Sequence, residues 1–100
     1  MSEAPFTFQG RSVLTLRQID RLNGVVKGAA FRAFKQVRAS LVEGRDFFVL
    51  SVDAPATAEE AALLERLHAA AALYSSSRVA VLITSGAYAR MQRAANLGGR

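Results

Sequence analysis

The sequence predicts an α+β fold: a helix-turn-helix with a small β-sheet and additional helices beside it. Three observations predict this. Two amphipathic segments, over residues 16–22 and 29–42, are joined through Asn23-Gly24 by a turn of a few residues, the dimensions of a helix-turn-helix. Short apolar runs at Phe47–Leu50 and Val79–Thr84 read as strands. The chain has 100 residues, 51% of them hydrophobic and 21% charged, which is the length and composition of one globular domain. Residues 1–100 are therefore expected to form a single domain, with 1–6 a flexible leader and 97–100 a flexible tail.

Each element has a local cause. Phe6, Phe8 and Ser12–Leu14 bracket Gly10, which suggests two short extended pieces around a turn. Thr15 is a helix N-cap in front of Leu16, Ile19 and Leu22, which share one face, and Gly24 is the stop because it accepts the left-handed conformation. The second helix, from Ala29 to Val42, is expected to bury Ala30, Phe31, Phe34, Val37 and Leu41 and to expose Arg32, Lys35, Gln36 and Arg38. Thr57 with Glu60 three residues later is a capping-box signature for a third helix running to Tyr74, with Leu63, Leu64, Leu67, Ala71 and Tyr74 inward. Ser75-Ser76-Ser77 breaks it, and a last helix spans 87–96 after the turn at Thr84-Ser85-Gly86.

Composition excludes several classes. There is no cysteine, hence no disulfide framework, thiolate zinc site or cysteine nucleophile. Met1–Pro5 lacks the order of a signal peptide, and no apolar run approaches the roughly 18 residues of a membrane span. A cytoplasmic protein is expected. The net charge of +5 is unevenly spread: Met1–Val52 carries +4, Asp53–Ser77 carries −3 and Arg78–Arg100 carries +4. Two basic segments flanking an acidic one are the footprint of a polyanion binder.

The second helix concentrates the chemistry that a polyanion binder needs. Arg32, Lys35 and Gln36 lie at i, i+3 and i+4 and so can enter one groove together. Arg forks onto guanine, Gln pairs with adenine and Lys reaches phosphates. The same pattern also suits a plain solvated face. His68 stands without a second ligand, so no metal is expected. Glu59, Glu60 and Glu65 suit the first turns of a helix better than a catalytic pair. Ser85-Gly86 opens a helix that could hold a phosphate with Arg90 and Arg93, although a simple cap explains it. Tyr74 and Tyr88 read as core-edge packing. No nucleophile, base and orienting group can be assembled, so neither an enzyme nor a cofactor is expected.

The run Val13-Leu14-Thr15-Leu16-Arg17-Gln18-Ile19-Asp20, then Asn23-Gly24, Ala30–Lys35 and Val42-Glu43-Gly44-Arg45-Asp46-Phe47-Phe48, resembles the amino-terminal domain of phage antirepressor-type proteins, the ORF-six-N domain related to the KilA-N group. Val81-Leu82-Ile83-Thr84-Ser85-Gly86-Ala87 matches the segment that closes that pattern. The resemblance covers about half the chain and implies a DNA-binding domain with a helix-turn-helix core and strands beside it. Ser51–Ser77 departs from the pattern, which usually has a short connection there. This piece is expected to pack on the core and to contact a second copy, with a partner site as the alternative.

The expectation is thus a winged-helix-like regulator of phage or prophage type in a bacterial host cytoplasm, binding double-stranded DNA as a homodimer. Arg32, Lys35, Gln36 and Lys27 would contact DNA, with Arg17, Arg21, Arg38 and Arg45 on flanking phosphates. Neutralising about six phosphates implies a roughly 10³-fold loss of affinity between about 50 and 200 mM salt. The alternative is a phage-encoded inhibitor or antirepressor that binds a host or phage protein through the acidic helix 57–74. An RNA-binding module is disfavoured on the expectation that the basic helix shows no exposed aromatic between its charges.

Overall fold

A computed structural model describes residues 4–95. Strands β1 (Phe6–Phe8) and β2 (Arg11–Thr15) form a hairpin whose two-residue loop, Gln9-Gly10, has positive φ at both positions. That geometry matches the right-handed twist of paired strands, and glycine at the second position relieves half of its strain. Helices α1 (Leu16–Asn23) and α2 (Ala29–Val37) follow, then a 3-10 turn over Arg38–Ser40, β3 (Phe47–Ser51), α3 (Ala58–Ala69), β4 (Val79–Thr84) and α4 (Ser85–Ala95).

The strands make one antiparallel sheet in the order β1-β2-β4-β3. Leu14, Ile83 and Phe47 stand in one row across it, and Thr15, Leu82 and Phe48 in the next. Because side chains alternate along a strand, the two rows point to opposite faces. Both faces are covered. Helix α3 packs Leu63, Leu64 and Leu67 onto Phe48, Leu50 and Leu82. Helices α1, α2 and α4 bring Ile19, Ala30, Phe34 and Met91 onto Phe47, Val81 and Ile83. Double coverage accounts for the unbroken apolar run of β4, whose residues after Val79 are all buried. Edge-to-face aromatic pairs at 5.0 Å lock each layer: Phe8 on Phe48, and Phe34 on Phe47.

Among the described residues the architecture is therefore α+β, with four α-helices and a four-stranded antiparallel sheet. Several expected boundaries shift. The helix expected over 29–42 ends at Val37, because the chain tightens at Arg38–Ser40 and then extends so that Leu41 turns into the core. Phe31, expected inside, is 45% exposed. The buried stripe is Ala30, Ala33 and Phe34, and Phe31 falls on its flank. The helix expected to reach Tyr74 stops at Ala69. Ala71 turns left-handed, the Ala72 amide returns to the Leu67 carbonyl, and Ala72 and Leu73 enter the core. Tertiary burial overrides the helix propensity of the alanines. Helix α4 begins at Ser85, two residues earlier than expected, with the Thr84 hydroxyl accepting from the Ala87 amide. Phe6 of the expected leader opens β1, and the Ala4 carbonyl accepts from Gln18 Nε2. Residues 1–3 of that leader and the expected tail 97–100 lie outside the described residues.

The segment 51–77, where the family resemblance lapses, supplies the layer on one face of the sheet, with Leu63 and Leu67 fully buried. Among the described residues no helix is long and apolar enough to cross a membrane.

Candidate nucleic-acid interface

The presentation of α2 depends on one buried acid. Thr15 caps α1 in a reciprocal box: its hydroxyl accepts from the Gln18 amide at 3.1 Å, and its own amide donates to Gln18 Oε1 at 2.9 Å. Gly24, with φ 61°, closes α1, and the amides of Gly24 and Val25 return to the carbonyls of Arg21 and Asp20. The chain then doubles back so that Asp20 meets the start of α2. Its Oδ1 accepts from the Ala30 amide at 2.8 Å and its Oδ2 from the Gly28 amide at 3.1 Å. Gly28 has no side chain to cap α2, so the carboxylate of α1 performs that role and places negative charge where the helix dipole favours it. The Tyr74 hydroxyl is the third donor to Asp20, which is 3% exposed.

Arg32, Lys35 and Gln36 are all exposed on α2. Among the described residues Arg32 and Gln36 have no side-chain hydrogen bond or ion pair, and Lys35 rests its ammonium 4.8 Å from the centre of the Phe31 ring. The Arg32 guanidinium reaches back beside Gly28, so this face continues toward the α1–α2 turn. These three side chains are the expected site residues that the fold gathers on one helix face.

The other expected contacts have protein partners. Arg17 donates to the Leu73 carbonyl at 2.9 Å and Arg21 to the Ala71 carbonyl at 3.0 Å, so these two tie α1 to the segment after α3. Arg17 and Lys27 also stand over the Tyr74 ring, at 5.2 and 4.9 Å from its centre. Arg38 lies 4.5 Å from the centre of the Phe47 ring and 4.0 Å from Glu43. Arg45 pairs with Asp46 at 3.4 Å. The Val42 amide donates to Asp46 and, more than the neighbouring arginines, holds its carboxyl below the ordinary carboxylate range. Arg90 donates to the Ser40 carbonyl at 2.7 Å, a tie between α4 and the 3-10 turn.

Helix α3, which carries Glu59, Glu60 and Glu65, lies across the sheet from α2. Glu59 accepts from the Gln9 amide and Glu60 from the Ala56 amide, so both serve local structure. His68 is exposed, and among the described residues no group of three or more metal-ligating side chains occurs.

Three features escape sequence reasoning. Asp20 gave no sign of capping another helix, since its partners lie eight and ten residues on. Phe31 could have been placed by preferring the tighter stripe Ala30, Ala33, Phe34 and Val37. Tyr74 leaves α3 and instead lines a cavity of about 260 Å³ with Arg17, Lys27, Phe31 and Arg78. Burial pushes the Tyr74 phenol up to about 12, with the hydrogen bond to Asp20 adding to it. No family model, curated protein or solved structure matches the chain.

Proposed function

We propose that the protein binds double-stranded DNA through the outward face of α2, as a regulator of the phage type that its sequence resembles. The observation that carries this reading is that Arg32, Lys35 and Gln36 stand exposed on one helix face, and none of them is paired with an acid among the described residues. A forked cation, a point cation and an amide at i, i+3 and i+4 combine phosphate attraction with base-edge hydrogen bonding. Placement of α3 and its acids on the opposite side of the sheet supports the reading, because it keeps negative charge off the face that meets phosphates. Helix α1 acts as the supporting member of the pair, and its Asp20 fixes the start of α2. One short helix makes few base contacts, so two copies on a two-fold site complete the proposal.

Fluorescence anisotropy with labelled duplexes tests it. The double change Arg32→Glu and Lys35→Glu abolishes binding, while Glu65→Lys on α3 leaves it intact. Equal binding by the wild type and the double variant overturns the reading.

A further inference from the structure

The cationic face of α2 adjoins the cavity between α1, the start of α2 and residues 72–79: Phe31 of α2 lines it, and the Arg32 guanidinium lies beside Gly28, another of its lining residues. We propose that this cavity takes one unpaired nucleotide of a DNA strand held on α2, with the base against Phe31 and the phosphate on Lys27 and Arg78. The inference rests on the nucleic-acid reading above and adds a second ligand feature to it.

Size, surface and charge of the cavity each point to such an occupant. A volume of about 260 Å³ is below the roughly 300–1,000 Å³ of sites that take drug-sized ligands, so one ring system fits and a folded peptide does not. Its walls are mostly apolar, with Leu16, Leu73, Val79 and Val81 lining it together with Phe31. Phe31 and Val79 remain 45% and 47% exposed, uncovered apolar surface in a lining that also holds three cations. A nucleobase has apolar faces on an anionic chain and matches that combination. Arg17, Lys27 and Arg78 are in its lining. Arg17 is held by the Leu73 carbonyl and, with Lys27, by the Tyr74 ring, so two of the three cations are positioned before any ligand arrives. The one acid in the lining is Asp20, and three donors already engage its carboxylate. A base within a stacked duplex cannot enter so small a recess, whereas an unpaired one can leave the stack at low cost.

The exposed Phe31 also removes the ground on which an RNA-binding module is disfavoured, since the basic helix does carry an outward aromatic, with Lys35 four residues away on its ring.

The test uses the full chain and three labelled probes: a paired duplex, the same duplex with one unpaired adenine, and its single strand. The bulged duplex should bind about tenfold tighter than the paired one, the contribution of about one stacked base. Phe31→Ala should bring the ratio of the two affinities to about one, and Arg78→Ala should lower it by a smaller factor. Both positions are exposed, and unchanged thermal midpoints will show that the variants fold. Equal affinity of the wild type for bulged and paired duplexes overturns the proposal, as does a ratio that survives Phe31→Ala. Binding of the bulged duplex or single strand without binding of the paired duplex sinks the α2 duplex reading and leaves the cavity assignment standing. Failure to bind any of the three probes sinks both.

Discussion

The hydroxyl of Tyr74 donates to the carboxylate of Asp20, a residue 54 positions earlier in the chain. The same carboxylate accepts the amides of Gly28 and Ala30. One side chain thus joins three elements: α1, which carries it, the first turn of α2 and the segment that returns from α3. The orientation of the proposed DNA-reading face is inherited from that junction.

Asp20→Ala leaves two amides and a phenol without their acceptor in a buried site, and should destabilise the fold by about 3 kcal/mol. Asp20→Asn keeps one acceptor oxygen but turns an amide N–H toward donors, so it should lose most of the same amount. Urea unfolding checks this. A loss below about 1 kcal/mol for Asp20→Ala would show that the junction is held by packing alone.

Alkaline stability should report the Tyr74 contact. The phenol ionises near 10 in an unfolded chain, and in the fold it is pushed up to about 12. Its contribution is therefore fully present below about pH 10 and is lost as pH rises toward 12. Urea midpoints measured across that window should fall for the wild type and fall less for Tyr74→Phe. With Tyr88→Phe as background, the phenolate absorbance of the folded protein then belongs to Tyr74. A transition near 10 in that background would contradict the assignment.

Two glycines should respond in opposite directions to the same change. Gly24 has φ 61° and open space around it, so Gly24→Ala introduces only backbone strain, costing about 1 kcal/mol. Gly86 lies in the first turn of α4 with open space and no left-handed φ. Gly86→Ala should stabilise by up to about 1 kcal/mol. Paired thermal melts of the two variants check the signs.

Features governed by neighbours in sequence were legible from the residues. Thr15 and Gly24 bound α1, Thr57 opens α3, and the run Val79–Thr84 is a strand, as their local chemistry dictates. What could not be read is governed by contacts far along the chain. The end of α3 at Ala69 depends on Ala72 and Leu73 finding the core, and alanine gives no local warning of it. The early end of α2 depends in the same way on the burial of Leu41. Exposure of Arg32, Lys35 and Gln36 follows from helical periodicity, but the diversion of Arg17, Arg21, Arg38 and Arg45 to protein partners does not. Their carbonyl, carboxylate and ring partners are set by the tertiary fold, and charge counting treats all cations as free.

Salt dependence of duplex binding tests the central claim most directly. If α2 lies along a duplex and about four to six phosphates are neutralised, affinity should fall roughly 10²–10³-fold between about 50 and 200 mM salt. A Lys35→Ala variant should show a slope shallower by about one phosphate, and Arg32→Ala with Lys35→Ala by about two. A flat response in the wild type, or one that these two changes leave unaltered, would contradict the assignment of α2 as the DNA-binding face.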